Sequence, residues 1–405
     1  MTIIESEHTG TVVVARQPIF DAGWDVIAYE LLYRPVVEGA GPVAPEAMTA
    51  GVLATAFSDL GLDLLVGDRT AHVNVTRDFL LGVRPLPLEP HRTVIELVED
   101  QVVDAALIEV LSEAVDAGFT LALDDFVYAP KMERVLDLAS IVKLDVRALS
   151  PAQLEAEVRK LAPRNLTLIA EKIESAEEYE LCREMEFDAY QGYFFALPEL
   201  SQTTATPTHE LGSLVALAGT DAETTLEELE AIVRRDAGLS HKLLRYANSA
   251  YVAPLRPIAS LRHALTMIGA TAIRRWGLLL ALSGLRDAPH HLLNAAMVRG
   301  RMSELVAPAM GAAPDRAFTA GLFSLLDAMT GRQMDELVAE LPFDDRLSDA
   351  LVRRSGPEGE VLRATLAYER GDFDAAAVHA RPQLLADAYH QAIAWSDQLT
   401  PAAAL

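Results

Sequence analysis

Apolar runs that stop at a charged or amide residue recur through the first half of the chain. Leu166-Thr-Leu-Ile-Ala170 stops at Glu171, Thr93-Val-Ile95 at Glu96, and Thr120-Leu-Ala-Leu123 at Asp124 and Asp125. Ile141-Val142 leads to Lys143 with Asp145 two residues on, while His72-Val-Asn74 and Ala189-Tyr-Gln191 end in amides. Each reads as a buried strand that delivers a polar group to its carboxyl end. Between these strands the apolar spacing becomes helical, over 77–82, 101–117, 130–139, 151–161 and 175–185. Gly118 is a C-cap for the second of these helices, and Ser175 with Glu178 forms a capping box for the last. Upstream, strand-like residues 12–20, a turn at 21–23 and a second alternating stretch to Arg34 predict a hairpin-like opening, followed by a helix over 46–66. Strand–helix units of this kind imply parallel strands and a (β/α) barrel with its reactive groups at the carboxyl ends of the strands.

The pattern changes after residue 198. Residues 199–208 are polar, short-chained and contain Pro207, as expected of a linker. Beyond them the spacing is helical nearly everywhere, over 225–237 (Thr225 as N-cap, Glu228 three later), 239–250, 260–268, 271–285, 291–306, 315–329 and shorter helices to about 398. The expected organisation is α/β plus all-α: residues 1–200 a barrel, 201–208 a linker and 209–405 a helical domain. A chain of 405 residues accommodates two cores.

Charge narrows the partners. The net charge is -25, and residues 1–200 carry 15 Lys/Arg against 35 Asp/Glu, so most of the acidic excess lies in the predicted barrel. Direct DNA binding is not expected, because phosphate-backbone affinity needs clustered basic residues. The one cysteine, Cys182, excludes an internal disulfide and a cysteine-built zinc site. No signal-peptide pattern and no apolar run of membrane-spanning length is present, so the expected location is the cytoplasm, with no membrane partner.

Taken singly, each strand-end acid has an ordinary reading as a solvated terminus or helix cap. Together, Glu30, Asn74, Glu96 and Asp124 form an oxygen-rich set of the type that hard divalent cations such as Mg²⁺ or Mn²⁺ prefer. Asp125 points to the other side of its strand and is a candidate for a second ion; two ions can activate water and neutralise a phosphodiester. Lys143 and Asp145 share a strand face, and Glu171 is a candidate general base.

The ordered segments Gln17-Pro-Ile, Tyr29-Glu30-Leu-Leu-Tyr-Arg34, Val73-Asn74-Val, Ile95-Glu96-Leu, Leu123-Asp124-Asp125-Phe126, Lys143-Leu-Asp145, Glu171-Lys-Ile-Glu174 and Gln191-Gly-Tyr-Phe-Phe resemble the motifs of EAL domains. These are TIM-type barrels that open cyclic di-GMP to pGpG with Mg²⁺ or Mn²⁺. The resemblance implies a metal at Glu30, Asn74, Glu96 and Asp124, with Asp125 serving a second. It implies that Lys143 and Glu171 act on the nucleophilic water, and that Gln17, Arg34, Asp145, Glu174 and Gln191 surround the nucleotide. Two departures stand out. The family's Gly-rich loop after Asp-Asp-Phe is replaced by Val127-Tyr-Ala-Pro130-Lys-Met-Glu133, which removes backbone freedom from a segment that supports metal placement and dimerisation. Lys172 replaces the usual glycine after Glu171, either as a solvated cation or as one that lowers the proton affinity of the neighbouring base.

The helical half resembles the HDOD domain, through Leu239-Ser-His-Lys-Leu-Leu-Arg-Tyr-Ala-Asn248 and Ser260-Leu-Arg-His-Ala-Leu-Thr-Met-Ile-Gly269. Ser324-Leu325 stands where catalytic relatives of that domain carry His-Asp, which implies a protein-interaction module with no hydrolytic metal. His241 and His263 are isolated and read as packing or surface residues. The pair of domains resembles EAL–HDOD signalling proteins of the YuxH-like type. Three outcomes follow: a cyclic di-GMP phosphodiesterase, a receptor that binds the nucleotide with weak turnover or none, or a scaffold with no nucleotide affinity. The altered loop tips the expectation toward binding, with an unknown protein partner at the HDOD half and a homodimer compatible with the family.

Overall fold

The computed structural model describes residues 11–36, 61–83, 85–86, 88–98, 101–196, 212–220, 224–247, 258, 260–282, 290–341 and 343–403. Residues 46–60 of the helix expected over 46–66 and the linker 201–208 lie outside them. The chain divides into two compact units, one of residues 1–195 with 367–390, the other of 196–366 with 391–405.

The first unit is a closed barrel of eight strands in chain order. Its strands are β1 (Thr11–Asp21), β2 (Val26–Val36), β3 (Thr70–Val75), β4 (Thr93–Leu97), β5 (Thr120–Leu123), β6 (Ile141–Asp145), β7 (Thr167–Glu171) and β8 (Ala189–Tyr190). The opening hairpin makes β1 run against both neighbours, and every other pair is parallel. Helices follow the strands: α1 (Leu62–Val66), α2 (Arg77–Gly82), α3 (Ala105–Asp116), α4 (Glu133–Leu136), α5 (Pro151–Leu161) and α6 (Ala176–Glu184). The caps behave as the sequence predicts. Ser175 and Glu178 form the capping box of α6, and Gly118 just past α3 takes φ +96°. The segment expected to be helical over 130–139 is a 3₁₀ turn (Pro130–Met132) and a single α turn.

Strand alternation stacks the interior in layers. Ile19, Ala28, Ile169 and Ala189 form one buried apolar cluster, with Ile141 packed on it. Two residues along the same strands lie Gln17, Glu30, Glu171, Gln191 and Lys143, so the period of two puts them on the same side of the sheet as the apolar cluster. An apolar floor therefore lies beneath a polar layer, and the polar groups cannot be hydrated from below.

Residues 367–390 group with this barrel although the sequence reading assigns all of 209–405 to the helical domain. Tyr368 is buried and its hydroxyl donates to the Val14 carbonyl at 3.1 Å; the Tyr389 hydroxyl accepts from the Arg16 amide at 3.3 Å. At Gly371 a Cβ would come within 2.7 Å of Leu32 Cδ1.

The second unit is helical. It includes α7 (Gly212–Ala218), α8 (Leu226–Arg234), α9 (Ala237–Ala247), α10 (Leu261–Ile268), α11 (Ala270–Leu282), α12 (His290–Val306), α13 (Pro314–Phe323), α14 (Leu326–Thr330), α15 (Met334–Glu340) and α16 (Asp345–Val352). A continuous core runs through it, including Leu229, Leu243, Leu265, Leu279, Phe318, Phe323 and Leu351. Thr225 caps α8 with Glu228 as expected. The helix predicted over 315–329 is broken at Ser324-Leu325, where the Ser324 hydroxyl donates to the Gly321 carbonyl at 2.7 Å. Among the described residues no single helix is long and apolar enough to cross a membrane.

Candidate metal and nucleotide site

The polar layer is centred on Lys143, whose side chain is wholly buried on β6. Its Nζ lies 3.0 Å from Glu30 Oε2, 2.9 Å from Glu96 Oε1 and 3.1 Å from Asp124 Oδ1, and it is also paired with Glu171 Oε1. Four carboxylates from β2, β4, β7 and the residue after β5 thus face one ammonium, a formal deficit of three positive charges. Burial lowers the proton affinity of Lys143 by itself, but the surrounding carboxylates reverse this and hold it well above the usual lysine range. Burial pushes Glu96 and Glu171 well up, against the attraction of Lys143. For Glu30 burial acts in the same sense, yet Lys143 and the Gln191 amide outweigh it and leave that carboxyl below its ordinary value.

The amides are organised around Glu30. Asn74 Nδ2 donates to its Oε1 at 2.8 Å and Gln191 Nε2 to its Oε2 at 2.7 Å. Gln17 is its direct cross-strand neighbour on β1. Gln191 depends on Gly192, where a Cβ would stand 2.2 Å from the Ile173 carbonyl oxygen, so only glycine allows β8 to end here.

Cation fit is decided by oxygens that have nothing to accept. Asn74 Oδ1, Glu96 Oε2 and Gln191 Oε1 are buried without a hydrogen-bond donor, and Asp124 Oδ1 has only its ion pair with Lys143. Glu30, Glu96 and Asp124 each offer a carboxylate oxygen within 4.8 Å of the others. Orphaned buried acceptors beside an excess of negative charge suit a hard divalent cation.

Other expected site residues stand apart from this centre. Asp125 has φ +44° and its Oδ1 accepts from Lys172 Nζ at 2.7 Å; Asp145 Oδ2 accepts from the same nitrogen at 2.7 Å. Asp145 Oδ1 also accepts from the amides of Arg147 and Ala148, at 2.8 and 3.0 Å. Lys172 has φ +59°, a left-handed conformation in which a side chain costs about 1–2 kcal/mol of backbone strain. Glu174 is half exposed and paired with Arg147, and Arg34 Nη1 lies 2.8 Å from Asp374 Oδ1.

Two contributors escape a reading of strand ends. His72 Nδ1 lies 2.7 Å from Glu96 Oε1, and burial together with the Lys143 ammonium holds its pKa down to about 3, so the ring is neutral. Its position two residues before Asn74 on β3 is the signal that could have found it. The Tyr33 hydroxyl donates to the Asn74 carbonyl. The replaced loop is tied down, with the Tyr128 amide donating to Glu157 Oε2 at 3.0 Å and its hydroxyl paired with Glu133.

In the helical unit, the Ser324 hydroxyl accepts from Arg299 Nη1 at 3.3 Å, and both side chains are buried. His241 and His263 are both exposed.

Comparison with known proteins bears on the whole chain. The EAL domain family model matches residues 67–198 and the HDOD domain model residues 208–330. The cyclic di-GMP phosphodiesterase CdgJ of Vibrio cholerae is 32% identical over 377 residues, covering 91% of this chain and 87% of CdgJ. The chain belongs to the EAL–HDOD family. A second member, the uncharacterised protein YuxH of Bacillus subtilis, is 28% identical over 376 residues, covering 90% of this chain and 92% of YuxH. Solved EAL structures align with 45% of the chain. They include the manganese and cyclic di-GMP complex of Klebsiella pneumoniae BlrP1, at 24% identity, TM-score 0.39 and 55% coverage of that protein. The PaMucR phosphodiesterase complex aligns at 22% identity, TM-score 0.37 and 94% coverage.

Proposed function

We propose that the barrel binds cyclic di-GMP together with Mg²⁺ or Mn²⁺, and opens it to pGpG slowly. The observation that carries this reading is the convergence of Glu30, Asn74, Glu96 and Asp124 on one buried spot with acceptor oxygens left over. The name of the 32% identical relative supports the choice of nucleotide. Glu30, Asn74, Glu96 and Asp124 would hold the cation, which when bound supplies charge neutralisation for a phosphodiester. Glu171, whose proton affinity is raised by burial, suits a general base for the attacking water. Lys143 orients that carboxylate and offsets phosphate charge. Gln17 and Gln191 lie beside Glu30 and suit contacts to the nucleotide, as does Arg34 once it exchanges Asp374 for phosphate. Asp145 and Glu174 act at the rim through Lys172 and Arg147. The HDOD half serves as a protein-interaction module; the buried Arg299 guanidinium against Ser324 supports this, since a cation there does not suit a metal.

Calorimetric titration of the full chain with cyclic di-GMP in Ca²⁺, followed by product analysis in Mg²⁺ and Mn²⁺, tests both halves. Binding with slow pGpG formation is the expected result. Glu171→Ala should abolish product and keep binding, whereas Glu30→Ala should lose both. No binding in any metal would overturn the nucleotide reading and leave a scaffold.

A further inference from the structure

Lys172 stands in a backbone conformation that disfavours any side chain, yet its ammonium is held at 2.7 Å by each of two carboxylates from different strand ends, Asp125 after β5 and Asp145 on β6. Asp125 follows Asp124 in the chain, and Asp124 is one of the carboxylates paired with Lys143. Two carboxylate oxygens from different strand ends meeting on one cation are donors that a divalent ion would also accept. The side chain is half exposed, so it could have been solvated instead; its place is fixed by those two acids.

We propose that Lys172 is a built-in occupant of the second cation position, so that the barrel takes one divalent ion where Asp125 and Asp145 would otherwise admit two. The inference rests on the divalent-cation reading of the Glu30, Asn74, Glu96 and Asp124 cluster. An ammonium neutralises Asp125 and Asp145 and keeps the rim acceptable to an anionic ligand. It cannot polarise a bound water as a divalent ion does. The arrangement therefore favours holding a phosphodiester over cleaving it. A competing ion must displace a tethered cation that is always at hand, and a tether raises its effective concentration.

Mn²⁺ stoichiometry of the full-length protein, measured by equilibrium dialysis and by loss of the free-ion EPR signal, tests this without reference to turnover. Wild type should bind one Mn²⁺ per chain. Lys172→Gly, which suits the left-handed backbone, and Lys172→Met, which keeps the strain and removes the charge, should each bind two. Thermal melts of both variants establish that they are folded. Two ions in the wild type, or one in both variants, would overturn the proposal while leaving the first cation site standing. A gain in Lys172→Gly alone would also overturn it, because the obstacle would then be backbone shape. No ion in the wild type would instead bring down the cation reading on which the proposal depends.

Discussion

Lys143 is the residue whose loss the barrel would feel most. Among the described residues it is the one cation shared by the buried Glu30, Glu96 and Glu171 and the partly buried Asp124, and removing one partner of a buried ionic cluster typically costs about 3–5 kcal/mol. Lys143→Met should therefore lower the urea midpoint sharply in EDTA, and Mg²⁺ should recover part of the loss by supplying the missing charge. A second prediction concerns His390, which is buried with Nε2 lacking a hydrogen-bond partner; burial lowers its pKa despite the nearby Asp387. The unfolded chain takes up this proton near the ordinary value of 6.5 while the fold resists it. The contribution to stability is thus present above that pH and is lost as pH falls below it. His390→Leu should reduce the drop in urea midpoint between pH 7.5 and 5.5. At this scale the strand-end carboxylates were legible because an apolar run that halts at a charge has few other readings. The partners of Lys172 were not, since a positive φ and a contact across 27 and 47 residues leave no trace in local spacing.

Two glycines, one in each unit, let backbone segments approach closely. A Cβ at Gly192 would lie 2.2 Å from the Ile173 carbonyl oxygen, and one at Gly321 on α13 would lie 2.5 Å from the Arg299 carbonyl oxygen on α12. Both obstacles are backbone and cannot rotate away. Gly192→Ala and Gly321→Ala should each cost on the order of 1–3 kcal/mol in urea unfolding. The first should also weaken cyclic di-GMP binding, because it shifts Gln191, while the second should leave binding alone. Most strands and helices were legible within a residue or two, since their caps and periods are strong. Ser324-Leu325 was not seen to break a helix: the apolar spacing continues through it, and the break comes from the serine hydroxyl bonding to its own preceding turn.

At the level of the whole molecule, the barrel unit takes in residues 367–390, and Tyr368 and Tyr389 are buried in it. No composition shift marks this return, because tyrosines on a helical stretch read equally well as core of the helical half. Cys182, the single cysteine, offers a direct test. It is wholly buried and burial pushes its thiol up to about 12, so Ellman's reagent should label the native chain very slowly. A chain cut after residue 200 lacks the returning segment and should be labelled at least about tenfold faster under the same conditions, through more frequent opening. Equal rates would mean that the barrel is self-sufficient. The Tyr368 hydrogen bond to Val14 spans 354 positions. On the ribosome, β1 must therefore wait for a segment made long after it, and a nascent chain stalled between the two exposes an unfinished barrel to chaperones and proteases.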